Sequence, residues 1–380
     1  MLKFDVEKEE FQNQFFEKKP LLCKKIIDPE FYGTADLSSV IYGLDAQAPN
    51  IRLHNGAFIP EQEYIETHTE VGAQKSRVVK SKFYKLLREG ATLILNRLDA
   101  KDAKIRRICN EISKFTNHQT LANGYLSAGT IPAFGNHWDV HDVFAVQLFG
   151  RKKWTLYKPT LELPLRGQVS KDAKAECPTM PYMDIILEAG DVLYVPRGWW
   201  HNATAIGEKT FHIAIGVYPC YVSDYISWIV QKKLDKHLSC RRSVAMDRID
   251  LSKVEHAIQD VAAEVLNERN FSEYIEFISN SDRVKTEFDL DAHVFSKKLE
   301  ITPDSILNYN SAYVRPKSMP PNRLPNGEWG AMTGEAFELL KSIANRGQVA
   351  VADLGLGQPD EDLYRSIEEL VNMDSIQIIN

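Results

Sequence analysis

"FGNHWDVHDVFAVQLFGRKKW", residues 134–154, decides how this chain is read. It places His137, Asp139 and His141 at alternate positions, then runs through apolar residues to Gly150. Alternate side chains of a β-strand share a face, so a strand starting at His137 would present all three polar groups on one side. Two nitrogen or oxygen ligands spaced i, i+2 can hold one ion, and a third must come from a neighbouring strand. The candidate is His201, in "LEAGDVLYVPRGWWHNATA" (187–205). There a Gly190-Asp191 turn opens a buried strand, Leu193 to Val195, Pro196-Arg197-Gly198 ends it, and His201 follows just beyond. Two histidines and a carboxylate on one side of an ion make the facial triad of non-haem iron(II) sites, which leaves positions open for other ligands. His141 stays open as a local third ligand or as a group that meets the substrate. Asp142 reads as a structural hydrogen-bond acceptor and His212 as a core histidine.

Working outward, residues 120–218 read as short strands punctuated by Gly and Pro: "NGYLSAG", "DVFAVQLFG", "KKWTLYKP", "DIILEAGDVLYVPRG" and "FHIAIGVYP". Closely spaced strands of this kind form an antiparallel barrel or sandwich. Before them, "VEKEEFQNQFFEKK" and "AKDAKIRRICNEISKFTN" have helical spacing, and "SKFYKLLREGATLILNRLD" turns from helix to strand after Gly90. After Pro219 the pattern is helical again, beginning with "SDYISWIVQKKLDKHL". A proline-rich stretch at 311–330 reads as a linker. The last fifty residues read helix, turn, helix, strand, like a small winged-helix unit. The organisation expected is a catalytic barrel with a mixed N-terminal extension over 1–220, a helical segment over 221–310, and a linker with a winged-helix-like domain over 311–380.

Composition narrows the function. The chain has 380 residues, 44% of them hydrophobic, and a net charge of −6. It is long enough for more than one core, and its acidity argues against a dedicated nucleic-acid binder. Local basic clusters remain at "QKSRVVKSKFYKLLR" and "KKLDKHLSCRR", both read as solvated helix faces. Five scattered cysteines form no C-x-x-C pair, which fits reduced thiols and no thiolate zinc site. With no apolar signal core and no apolar run long enough to span a bilayer, the expected location is the cytoplasm.

The conjunction of H-x-D, Lys152 fifteen residues after His137, and G-D-V-x-Y-x-P-x-x-x-x-H is hard to obtain from a strand-edge polar pair and a chance loop histidine. This region resembles the JmjC branch of the 2-oxoglutarate- and iron(II)-dependent oxygenases, and within it the ribosomal oxygenases, which hydroxylate side chains of ribosomal proteins. The resemblance implies a double-stranded β-helix (cupin) fold, mainly β with helical additions, and iron(II), 2-oxoglutarate and O2 as the reacting set. It places the metal on His137, Asp139 and His201. Lys152 falls where the family's lysine pairs with the distal carboxylate of 2-oxoglutarate; a buried carboxylate needs such a partner. On a strand, Lys152, Trp154 and Leu156 share a face, while Lys153 points away and Arg151 is the weaker rival.

Asn123 and Tyr125 stand where ribosomal oxygenases carry an Asn-x-Tyr that binds co-substrate or target; here Tyr125 is assigned to the co-substrate and Asn123, His141 and Trp199 to the substrate. The helical segment and C-terminal unit correspond to that group's dimerisation and C-terminal domains, so a homodimer is expected. There are departures: Gly216 replaces the family's substrate-contacting serine, and His141 and Trp199-Trp200 differ from the usual residues. The two tryptophans either wall a pocket or pack beneath the barrel mouth. The expected substrate is a protein or peptide side chain. The same chemistry on a small molecule, natural-product peptide or RNA is the alternative, and a non-catalytic or non-redox cupin binding protein is the rival of another class. Contact of the C-terminal unit with nucleic acid is left open.

Overall fold

Two strands set the architecture, because each is buried on both faces. In 142–149 and 210–218 nearly every side chain is covered, which requires a layer on each side of the sheet. The computed structural model describes residues 2–44, 46, 50–130, 134–244, 251–281, 290, 294, 301–310, 333–354, 360–373 and 375–379. These divide into one unit of residues 1–116 with 120–218, and a second of 219–380 with 117–119.

The first unit contains α1 (Lys8–Gln14), β1 (Leu21–Cys23), α2 (Thr34–Gly43), β2 (Ile51–His54), β3 (Ile65–Glu70), β4 (Ala73–Val78), α3 (Lys80–Arg88), β5 (Thr92–Leu95) and α4 (Ala103–Thr116). Seven strands follow: β6 (Gln119–Ser127), β7 (Asp142–Phe149), β8 (Lys152–Tyr157), β9 (Met183–Leu187), β10 (Val192–Val195), β11 (Trp200–Ala205) and β12 (Thr210–Tyr218). The larger sheet has the order β1-β10-β7-β12-β6-β5-β2, and the smaller one β11-β8-β9. The larger sheet has two distinct sides. Phe144 and Val146 of β7 and Phe211, Ile213, Ile215 and Val217 of β12 pack with Phe11 of α1 and Ile105, Ile108 and Ile112 of α4. Ala145 of β7 and Leu193 and Val195 of β10 face the opposite way and pack with Trp154, Leu156 and Leu187 of the smaller sheet. Two sheets closed over such a shared interior form the cupin double-stranded β-helix. By strand alternation, Asn123 and Tyr125 of β6, and His212 and Gly216 of β12, lie on the interior side.

The stretch "QKSRVVKSKFYKLLR" is not one helix face. Lys75 and Arg77 lie on β4, in a hairpin with β3, and pair with Glu70 and Glu66 at 3.6 and 2.7 Å. Only the part from Lys80 is helical.

The second unit holds α5 (Val222–Lys232), α6 (Leu238–Arg241), α7 (Ser252–Val265) and α8 (Glu268–Ser281), then β13 (Ile306–Tyr309), α9 (Gly334–Arg346), β14 (Gln348–Ala350), α10 (Glu361–Asn372) and β15 (Ile376–Ile379). Thr333 and Asp360 cap α9 and α10, each side chain accepting from a first-turn N–H. The two helices pack on an antiparallel sheet of order β14-β13-β15, with a core of their own. Since β13 pairs with both β14 and β15, this winged-helix-like module begins upstream of the boundary at residue 311. The proline-rich linker of 311–330 lies outside the described residues. Among the described residues, no helix is long and apolar enough to cross a membrane.

Candidate metal centre

His137 and Asp139 do not lie on a strand, contrary to the alternation reading. They sit in the loop before β7, and His201 is not in a loop but is the second residue of β11. What joins them is a single antiparallel bridge. The N–H of His137 donates to the carbonyl of His201 at 3.1 Å, and that of His201 donates back at 2.8 Å. The N–H of Gly198 donates to the carbonyl of Asp139 at 3.0 Å, tying the loop down on its other side.

This backbone clasp brings the imidazole centroids to 4.3 Å and His201 Nε2 to 3.6 Å from an Asp139 carboxylate oxygen. One ligand atom from each of His137, Asp139 and His201 lies within 4.8 Å of the others. Each histidine has its Nδ1 against a backbone carbonyl, of Gly135 at 2.9 Å and of Trp199 at 3.0 Å. Such a contact fixes the tautomer and leaves Nε2 as the ligand nitrogen. Burial lowers the His201 pKa, and a charge on His137 would lower it further. Burial pushes the Asp139 carboxyl upward, but His201, His137 and His141 outweigh it and hold the group below the ordinary range. A carboxylate and two imidazole nitrogens suit a divalent first-row metal.

Lys152 opens β8 on the interior face; it is 3% exposed. Its Nζ lies 3.3 Å from His212 Nδ1, and among the described residues no carboxylate pairs with it. Burial pulls its pKa down to about 7. Burial, and then the charge of Lys152, push the His212 pKa well below its ordinary value. The neighbouring cations are elsewhere: Arg151 is exposed and paired with Glu208 at 2.9 Å, and Lys153 with Asp184 at 3.0 Å. A buried amine lacking a counter-charge is costly unless an anion pairs with it.

Tyr125 stacks on His212 with centroids 5.0 Å apart. Burial raises the Tyr125 pKa, so the phenol stays protonated. Asn123 Oδ1 accepts from the N–H of Arg97 at 3.0 Å, which holds a left-handed backbone at that residue.

His141 is outside the three-ligand cluster. Its ring stacks on Tyr218 at 4.8 Å. A Cβ at Gly216 would meet that ring at 2.7 Å. Two departures from the family pattern are therefore one feature: the imidazole uses the space a serine side chain would fill.

Trp199 needs correction as a substrate contact. It is 6% exposed and packs among Trp154, Leu156, Leu193 and Val195, with Tyr182 edge-on at 4.9 Å. Trp200 is fully buried, its Nε1 donating to Thr160 Oγ1 at 3.0 Å. Both pack inside the protein, and Trp199 serves the centre through the carbonyl that holds His201.

One contributor carried no sequence signal. The segment 158–182 between β8 and β9 folds back on the ligand loop: Ser170 Oγ donates to the carbonyl of Trp138 at 3.0 Å, and Lys174 Nζ to that of Phe134 at 3.2 Å.

Residues 94–225 match the JmjC domain family. This segment is a JmjC domain. It covers about a third of the chain and contains every residue of the centre described above. The chain is similar to "Bifunctional lysine-specific demethylase and histidyl-hydroxylase NO66" of Culex quinquefasciatus, 26% identical over 63% of this chain and 37% of that protein. It is also similar to "Ribosomal oxygenase 1" of Gallus gallus, 28% identical over 63% of this chain and 40% of that one. The chain thus spans less than half the length of these curated relatives. Among solved structures, Escherichia coli YcfD matches over 100% of both chains with a TM-score of 0.57 and 18% identity. A second YcfD structure, in complex with cobalt and 2-oxoglutarate, matches with a TM-score of 0.56 and 16% identity.

Proposed function

We propose that this JmjC protein is a 2-oxoglutarate- and iron(II)-dependent oxygenase that hydroxylates a side chain of a protein, with ribosomal proteins as the substrate class. The observation that carries the reading is the pairing of a His-Asp-His cluster with a buried lysine that has no carboxylate partner among the described residues. A metal site alone fits many cupins; an uncompensated cation deeper in the same barrel calls for an anionic co-substrate. The names of the Culex quinquefasciatus and Gallus gallus relatives, and the cobalt and 2-oxoglutarate complex of YcfD, agree with it.

In this reading His137 and His201 bind the metal through Nε2, and Asp139 through a carboxylate oxygen. Lys152 and the Tyr125 hydroxyl receive the distal carboxylate of 2-oxoglutarate. Bound iron(II), with 2-oxoglutarate and O2, would supply the oxidising chemistry that turns a C–H into a C–OH, with succinate and carbon dioxide as co-products. The protein's share is geometry. The interlocked His137–His201 backbone fixes the ligands, the packed barrel excludes water, and Asn123 and His141 meet the target side chain. No covalent nucleophile is required of the chain.

Two further assignments belong to the same proposal. A homodimer is supported by α5, where Val222, Ile226 and Val230, at helical spacing, are 76%, 39% and 49% exposed. A cytoplasmic location fits the cysteine usage and a ribosomal target, and the module from β13 to β15 is architectural.

The test is anaerobic titration with Fe(II) and 2-oxoglutarate, following the visible charge-transfer band of the chelate. We expect a band in the wild type and its loss in His137→Ala and Lys152→Ala. Metal binding without a band would move the protein to a non-redox cupin.

A further inference from the structure

Trp154 occupies the ground between the two ends of the proposed site. The register of β8 on β11 sets Lys152 opposite Ala205, Trp154 opposite Ala203 and Leu156 opposite His201. Opposed residues of an antiparallel pair share a face, so His201, Trp154 and Lys152 project to one side, with Trp154 in the middle. Its ring lies over that of His201 with centroids at 6.0 Å and meets His212 edge-on at 5.4 Å. A molecule reaching from the His-Asp-His cluster to the Lys152 amine passes along it.

Trp154 is 3% exposed, and its indole N–H has no hydrogen-bond partner among the described residues. Buried indoles usually find an acceptor, as Trp200 does in Thr160. A buried donor left unmade carries a desolvation cost with no return. If packing were the whole role of this position, a phenylalanine would fill it without that cost. Lys152, one pleat away on the same face, is likewise a buried donor without an anionic partner. An unpartnered indole N–H and an amine without a counter-charge on one face call for an acceptor-rich ligand that touches both.

Building on the oxygenase reading, we propose that the Trp154 indole N–H donates to an oxygen of the bound 2-oxo dicarboxylate, making Trp154 a further co-substrate-binding residue beside Lys152 and Tyr125.

The test uses the full chain loaded with Zn(II), which is redox-inert and diamagnetic. Calorimetric titration with 2-oxoglutarate should show Trp154→Phe binding about ten- to hundred-fold more weakly than wild type, the loss expected for a hydrogen bond to a charged group. Zn(II) affinity should be unchanged, which separates lost donation from a disturbed His201. In wild type labelled with 15N-tryptophan, the Trp154 indole proton, assigned through its proximity to the His201 and His212 rings, should move downfield on saturation. That arm does not depend on the variant folding. Unchanged affinity in Trp154→Phe, or an unmoved Trp154 indole in a protein that binds 2-oxoglutarate, overturns the proposal and leaves Trp154 a packing residue. Wild type that takes Zn(II) and no 2-oxoglutarate sinks the oxygenase reading itself, before any variant is made.

Discussion

At the scale of single residues, Lys152 has the most to lose or gain from its surroundings. Its pKa falls from 10.5 to about 7 because the charged amine is buried. Between these values the unfolded chain binds more protons than the folded one, so the free protein gains stability as pH rises through that window. Below about pH 7 the penalty is present in full. A carboxylate placed against the amine reverses the shift. At about pH 8, binding of 2-oxoglutarate should therefore take up nearly one proton, and at about pH 6 almost none. Calorimetry in buffers of different ionisation heat reads this directly, and zero uptake at the higher pH would remove Lys152 from the binding site. Gly216 and His141 make a second residue-level prediction. Gly216→Ser should lower stability by about 1–3 kcal/mol, because its Cβ would enter the His141 ring. In a His141→Ala background the same change should cost little; equal costs in both backgrounds would deny the coupling. His137, Asp139, His201 and Lys152 were legible because ligand chemistry and spacing survive without a structure. For Trp199 the sequence left a pocket wall and a packing role both open, and only closure of the smaller sheet over the larger shows the packing.

At the scale of elements, the β7–β8 turn is the piece on which the site's depth depends. Gly150 has φ +67°, and a Cβ there would stand 1.9 Å from the carbonyl oxygen of Lys209. Neither the backbone angle nor the contact tolerates a side chain, and the neighbour is main chain that cannot swing aside. Gly150→Ala should cost about 3 kcal/mol or more in denaturant unfolding. It should also weaken 2-oxoglutarate binding, since Lys152 begins the strand that leaves this turn. A folded variant with unchanged stability would show that the turn yields more easily than its contacts imply. The strands themselves were legible from β-branched and aromatic runs bounded by Gly and Pro. Within 120–218 the exceptions were the ligand loop and β11, and outside it β2, the β3–β4 hairpin, β13 and β14 were not read as strands. "HWD" alternates like a strand yet is held by one bridge and the Gly198 contact, and "WHNATA" follows a turn so closely that it read as loop. In both places the decisive partner is far away in sequence, and local pattern carries no trace of it.

At the scale of the whole molecule, the question is how much of the chain the chemistry needs. Every residue assigned to the metal or the co-substrate lies in the first unit. The module from β13 to β15 closes a core from its own side chains: Leu307 and Tyr309 of β13, Leu339, Leu340 and Ile343 of α9, and Ile367 and Leu370 of α10. A cut placed at residue 311, where composition marks a linker, would leave β13 behind without the two strands it pairs with, exposing edges and apolar surface. The appropriate truncation ends at residue 300, ahead of β13. If the module is architectural, the shortened chain should bind Zn(II) and 2-oxoglutarate with affinities within about two-fold of the full chain, a difference of under 0.5 kcal/mol. Its hydroxylation of a full-length protein substrate can then be compared with that of a short peptide carrying the same target. Loss on the protein alone would give the module a part in docking; loss on both, with co-substrate affinity also reduced, would mean that the barrel depends on it.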